Sequence, residues 1–364
     1  MFRRGRATVT IIAAAAAFIA IAGIGIILLP HGSHARAAAR GATVHAQVLH
    51  VVSVTPAAGA RGVNGTAPIQ LTLAQRMMAG TAFPVISPAI PGRWHQAGTV
   101  LTFTPATGFA PGTRVTITVP HRGWTASYTT GSYALLRLQQ LLAQLGYLPL
   151  TWAADLGGLV PPGDAGAQLA AAYRPPAGRF TWQRGYPWSL HGFWQPGQMN
   201  IITTGAIMAF ESGHGMPLDG EASPATWSAL LRAAAARDMN QDGYTYAIAS
   251  QYPPETLTIW HDGREVFRSY ANTGIPVSPT AVGTFPVYLR YRFQIMRGTN
   301  PDGSQYADPV QFVSYFHAGE AVHYFPRYSY GWQQSLGCVE LPYSAAEQAW
   351  PYLSYGSLVT VTPG

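Results

Sequence analysis

The chain has 364 residues, 48% hydrophobic and only 10% charged, with a single Cys. That length exceeds one ordinary domain and suits two or three, while the low charge excludes a disordered polyelectrolyte and one Cys excludes a disulfide framework. All 22 basic side chains are Arg, and the net charge of +7 is spread thinly, with no Arg-rich run beyond the first six residues; this argues against a nucleic-acid partner and suits an anionic surface such as a wall or membrane.

Residues 1–8 form a basic tail carrying Arg3, Arg4 and Arg6, and residues 9–29 are uncharged. As a helix the second segment spans about 31 Å, one hydrocarbon core. The preceding arginines keep the N-terminus inside, which predicts a single-pass cell-membrane anchor with the rest of the chain outside the cytoplasm. A secretory signal cleaved near Ala35-Arg36-Ala37 is the alternative, but the apolar run is longer than the ~7–15 residues of a signal core. Residues 30–46 read as a linker.

From 47 to 130 the text turns to short β-type runs: Val51–Val54, Ile69–Leu73, Leu101–Thr104 and Arg114–Val119, punctuated by Pro and Gly. This spacing predicts a small β-sandwich, and its Leu-Thr-Phe-Thr-Pro strand and Ala-Pro-Gly-Thr turn resemble bacterial Ig-like domains. At 131–237 the period becomes helical. Leu135, Leu138, Leu142 and Leu145 share a face that Gly146 ends; Thr203–Glu211 is a second helix, and Ser223 caps a third with Pro224 at its first position. The stretch 150–198 has no clear period and reads as an insertion. The three helices resemble a peptidoglycan-binding domain. Asp238–Gly243 fits half of an EF-hand loop, but Ala249 stands where a bidentate Glu is required, so it reads as a turn.

Residues 244–364 are again β-patterned. Thr256–Trp260 and Glu265–Tyr270 flank a His261-Asp262-Gly263 turn, Val310–Phe316 and Ala321–Phe325 flank a second hairpin, Ser344–Glu347 reads as a capping box, and Ser357–Thr362 closes the chain. The one thiol lies in Ser335-Leu336-Gly337-Cys338. A Gly before a nucleophile permits the tight backbone that presents it. A thiol also needs a base, and His323, fifteen positions upstream on a hairpin strand, is the candidate.

With Asn272-Thr273-Gly274, Pro279-Thr280-Ala281-Val282-Gly283-Thr284-Phe285-Pro286 and Val322-His323-Tyr324, this segment resembles the YkuD-type L,D-transpeptidase catalytic domain. Taken with the segments above, this predicts a multidomain, mainly β protein. Its parts would be a transmembrane helix, an Ig-like sandwich, a small helical domain and a β-rich catalytic domain. The resemblance implies an acyltransferase of peptidoglycan synthesis: Cys338 as nucleophile, His323 as general base and acid, Gly337 and Ser335 at the oxyanion turn, and Tyr324, Tyr315, Phe325 and Trp332 as cleft candidates. Partners would be peptidoglycan stem peptides, with acylation by carbapenems expected; no cofactor and no metal are called for. The loop 298–309 is a candidate lid. Three positions depart from the family pattern: Leu336 replaces a His, Glu340 replaces an Arg, and Tyr324 stands where a Gly is frequent. A carboxylate beside the nucleophile is expected to raise its pKa. A weakened wall-binding protein and an L,D-carboxypeptidase that hydrolyses the same thioester are the alternatives.

Overall fold

The computed structural model describes residues 47–120 and 123–364. The anchor expected at 9–29 lies outside the described residues; among them, no helix is long and apolar enough to cross a membrane.

Strands β1 (Val51–Thr55), β2 (Ile69–Leu73), β3 (Val85–Ser87), β4 (Gly92–Ala97), β5 (Val100–Pro105), β6 (Arg114–Thr118) and β7 (Thr125–Thr129) form two sheets, ordered β1-β2-β5-β4 and β3-β6-β7. Period-two alternation places Ile69, Leu71, Leu101 and Phe103 of one sheet against Val115, Ile117 and Tyr128 of the other.

Next come α1 (Leu135–Gln144), β8 (Leu150–Ala154), α2 (Ala165–Tyr173), β9 (Gly178–Trp182), α3 (Trp188–His191), α4 (Ile201–Gly213) and α5 (Pro224–Ala236). Asn200 and Ser223 accept the N–H groups of Thr203 and Thr226 as side-chain caps of α4 and α5. The stretch that looked aperiodic is ordered: β8 and β9 pair antiparallel around α2. Its anchoring is polar rather than periodic, because buried Gln139 of α1 donates to the carbonyls of Gln195 and Gln198 and accepts the Gly197 N–H.

The remaining elements are β10 (Thr245–Ser250), β11 (Thr256–His261), β12 (Arg264–Tyr270), β13 (Gly283–Pro286), β14 (Leu289–Thr299), β15 (Gln305–His317), β16 (Glu320–Tyr324), β17 (Val339–Leu341), α6 (Tyr343–Ala349) and β18 (Leu358–Thr362). They build one sheet ordered β12-β11-β10-β18-β13 and another ordered β14-β15-β16-β17. Asp262 and Gly263 both have positive φ, so the β11–β12 turn is of the mirror-image kind that matches strand twist. The Ser344 capping box does not form. Helix α6 starts at Tyr343 behind Pro342, so Ser344 already sits inside the helix and its carbonyl accepts from Gln348.

The first of these sheets is covered on both faces. Ala247, Ala249, Leu257, Ile259, Val359 and Val361 face a core shared with Phe312, Phe316, Val322 and α6. Tyr244, Tyr246 and Leu358 face the opposite way and join Leu138, Leu142, Phe210 and Leu230 of the helices. The helical region is thus packed onto the sheet. Gly205 of α4 and Gly356 make the close approach possible: a Cβ on Gly205 would lie 2.5 Å from the Gly356 carbonyl oxygen.

Candidate active site

A cleft of about 670 Å³ opens beside the second sheet, with Cys338, His323, Phe325 and Tyr315 in its wall. Its geometry follows from register. Strands β16 and β17 run parallel with Val322 beside Val339, His323 beside Glu340 and Tyr324 beside Leu341. Alternation then puts His323 and Phe325 on the same face as Cys338 and Glu340, all four lining the cleft. The intervening Val322, Val339 and Leu341 turn into the core, and Tyr324 packs against that core.

The Cys turn is braced from several directions. Gly337 has φ +113, a region that favours Gly. Ser335 is buried, and its Oγ donates to the Cys338 carbonyl at 2.6 Å and accepts the Gly337 N–H at 3.1 Å. Ser335 therefore holds the turn and not the imidazole. The Gly337 N–H is engaged by Ser335, so it is not free for the oxyanion role expected of it. The Asn272-Thr273-Gly274 and Pro279-Thr280-Ala281 motifs buttress the turn. Thr273 O accepts the N–H groups of Gln334 and Ser335, each at 2.9 Å. Thr280 Oγ1 accepts the Gly274 N–H at 2.8 Å, and Ser278 Oγ donates to the Leu336 carbonyl at 3.1 Å. Beneath them the buried Glu255 carboxylate accepts both the N–H and the hydroxyl of Thr273, at 2.6 and 2.8 Å.

His323 is 3% exposed, and its Nδ1 lies 2.9 Å from the Tyr324 carbonyl. A carbonyl only accepts, so Nδ1 carries the proton and Nε2 keeps the lone pair. Burial pushes the imidazole pKa down, keeping it neutral and basic. Burial also pushes the Cys338 thiol up to about 12; the Glu340 and Glu320 carboxylates add to this, and the Ala321 N–H acts against it. The expected effect of Glu340 is present, but burial is the larger cause. The resting site is a neutral thiol near a neutral imidazole.

Of the other expected site residues, Tyr315 and Phe325 line the cleft, and the Tyr315 hydroxyl donates to Gln294 Oε1 at 3.0 Å. Tyr324 does not line it, because alternation turns the ring away to an edge contact with Tyr343 at 5.2 Å. Trp332 does not line it either: Gly331 is tied by its N–H to the Ala271 carbonyl and Asn272 Oδ1, and the next residue projects outward, 50% exposed. The expected lid loop is mostly strand. Strands β14 and β15 pair as far as Thr299 and Gln305, and Asn300–Ser304 makes the turn, with Asp302 Oδ1 accepting the Ser304 N–H at 2.9 Å. Tyr306, Asp308 and Val310 point inward from this hairpin at period two.

Sequence reasoning missed Arg327. Its Nε and Nη2 each lie 2.7 Å from a different oxygen of Glu340, and its guanidinium stacks 4.6 Å above the Phe325 ring. The signal was present in the unusual acid at 340, which calls for a cation; only the fold shows which one.

A thiol on a glycine turn and an imidazole with one nitrogen free to accept a proton thus share one wall of the cleft. Residues 245–361 match the L,D-transpeptidase catalytic domain (YkuD), and residues 46–132 match the bacterial Ig-like domain (Big_5). Among solved structures, the chain is similar to an L,D-transpeptidase from Mycobacterium smegmatis (16% identity, 87% of this chain and 100% of that one, TM-score 0.30). It is also similar to L,D-transpeptidase 3 from Mycobacterium tuberculosis in complex with a faropenem-derived adduct (15%, 86% and 97%, TM-score 0.31). A third similarity is to the catalytic domain of the E. faecium L,D-transpeptidase (25%, 32% and 96%, TM-score 0.30). No curated protein matches the chain.

Proposed function

We propose that this chain is a peptidoglycan L,D-transpeptidase working through a Cys338 thioester. The observation that carries the reading is the placement of Cys338 and His323 on one cleft-facing row of adjacent parallel strands, with Nδ1 tied back so that Nε2 is left to accept a proton. Nε2 takes the Sγ proton as sulfur attacks the carbonyl carbon of a tetrapeptide stem. The C–N bond breaks, His323 returns the proton to the departing amine of the terminal D-Ala, and a thioester remains. The amine of a second stem then attacks, its proton passes to His323, and the C–S bond breaks to restore the thiol. Cys338's own N–H is the remaining donor proposed for the oxyanion. The anchor at 9–29 would hold the protein at the outer face of the cell membrane, with the sandwich as spacer and the helical region bound to peptidoglycan, as its sequence resemblance suggests.

The test is covalent labelling. Incubation with a carbapenem or a tetrapeptide donor is expected to add one adduct mass at Cys338, and Cys338→Ala abolishes it. Absence of any adduct between pH 6 and 9 overturns the enzyme reading. The strongly raised thiol favours a second reading, a wall-binding protein with weakened chemistry, which predicts peptidoglycan binding without an adduct. Cross-linked dimer against trimmed stem in the product mixture separates transferase from L,D-carboxypeptidase.

A further inference from the structure

The charge at position 340 is not left bare. Glu340 is 4% exposed, and its backbone is pinned to Asn272 by hydrogen bonds in both directions, at 2.9 and 3.0 Å. Its side chain therefore emerges into the cleft two residues after the nucleophile and directly across the strand pair from His323. Both carboxylate oxygens are taken by Arg327 in a fork–fork pair, the two bonds each 2.7 Å long. The same guanidinium donates from Nη2 to the Gln334 carbonyl at 3.0 Å and lies over Phe325. One side chain from the segment after β16 thus ties together β17, the approach to the Cys turn and the cleft wall.

We propose that Arg327 is a positioning residue for the reaction: its fork clamps Glu340 against the strand beside His323, so that the carboxylate next to Cys338 is presented as half of a neutral pair. The inference rests on the reading of Cys338 and His323 as the reacting pair. A Lys could supply the charge but not two parallel bonds to one carboxylate.

Other polar groups line the same space or pack behind its wall. Strand β15 contributes Tyr306, Asp308 and Tyr315, and the β14 hairpin contributes Arg297 and Asp302. Tyr330, from the segment after β16, donates its hydroxyl to the Phe325 carbonyl. Glu320, the first residue of β16, is already engaged by the Ala281 N–H at 3.2 Å and by His317 at 3.4 Å. Glu340 is the cleft carboxylate paired to an Arg, so the Arg327–Glu340 pair is where a change of charge is felt two residues from the sulfur.

The experiment uses the chain's single Cys. The rate of iodoacetamide alkylation of Cys338 is measured from pH 7 to 10 in the full protein, without relying on any enzymatic turnover. Below the thiol pKa, a one-unit rise cuts the thiolate tenfold, but the more basic thiolate is the better nucleophile, so the rate at fixed pH falls about three- to fourfold. Arg327→Met leaves Glu340 unpaired and is expected to slow alkylation about three- to fourfold. Glu340→Gln leaves the guanidinium unpaired and is expected to speed it about three- to fourfold. The Arg327→Met/Glu340→Gln double variant returns towards wild type. A purely structural fork would make the two single variants alike, since both break it; shifts in the same direction, or no shift, overturn the proposal. Melting curves identify any variant that fails to fold. If Arg327→Met is lost this way, Glu340→Gln decides alone, acceleration supporting the proposal and an unchanged rate overturning it. A wild type that takes up no carbapenem, while these alkylation shifts hold, defeats the enzyme reading and leaves the pair's electrostatic role standing.

Discussion

At the residue scale the site holds a neutral thiol and a neutral imidazole. Cys338 is held as a thiol up to about 12 and His323 is held below its ordinary value, both chiefly by burial. On the proposed reading, the proton moves only when an electrophile is in place, as general-base catalysis requires. Two outcomes follow. Acylation is expected to keep its full rate at neutral pH and to lose it only below about pH 6.5, the ordinary His value, because a lowered pKa keeps His323 basic further into acid; a pH profile of adduct formation checks this. Replacing His323 by Gln removes the base while keeping a polar side chain of similar size, and is expected to cut the acylation rate by about 10²–10⁴, measured by mass spectrometry against time. Leu336 has no proton to give, so on the proposed reading His323 is the imidazole that moves protons.

At the element scale, short motifs that look like isolated sequence tags become a single brace. Gly274 shows the tolerance of that brace: a Cβ there would meet the Ser278 carbonyl at 2.2 Å and the Thr280 nitrogen at 2.6 Å. Gly274→Ala is expected to destabilise by about 1–3 kcal/mol and to slow acylation by displacing the Cys turn, with a denaturant midpoint and an adduct time course as the two readouts. Helix α4 carries a different sensitivity. Buried Glu211 accepts the N–H groups of Asp219 and Gly220, yet burial raises its pKa to about 7. The folded state then binds more protons than the unfolded chain between the ordinary carboxylate range and about 7. Stability from this group is full below that range and is lost as pH rises through about 7. Glu211→Gln is expected to flatten the dependence of melting temperature between pH 5.5 and 8.

At the scale of the whole molecule, the helical region and the catalytic sheet share one core, while the N-terminal sandwich keeps its own. Leu358 is fully buried between β18 and the helices, next to Val359, which faces the other way. Leu358→Ala is expected to cost about 2–5 kcal/mol and to lower, in calorimetry, a single transition containing both the helices and the sheet, leaving the sandwich transition in place. If the helices melted separately at unchanged temperature, the shared core would not be cooperative.

Much of this was readable in one dimension because it rests on local rules. Period-two runs marked β2, β5, β6 and β11; Ser223-Pro224 marked the start of α5; and a lone Cys behind a Gly marked a candidate nucleophile, since side-chain direction, capping and backbone freedom depend on near neighbours. The elements of 150–198 were hidden because their anchors are buried Gln side chains bonded to distant carbonyls, which leave no period. Tyr324 and Trp332 are cleft candidates on the resemblance alone, and alternation and the tie at Gly331 send them elsewhere. Above all, what surrounds the thiol was decided by tertiary structure. Burial is a property of the whole packing, and the partner of Glu340 lies thirteen residues away across a loop. Coulomb energy falls with distance in space and not along the chain. The sequence therefore picked out Cys338 and His323 as candidates, and only the fold decided in what charge state, and beside which partner, they stand.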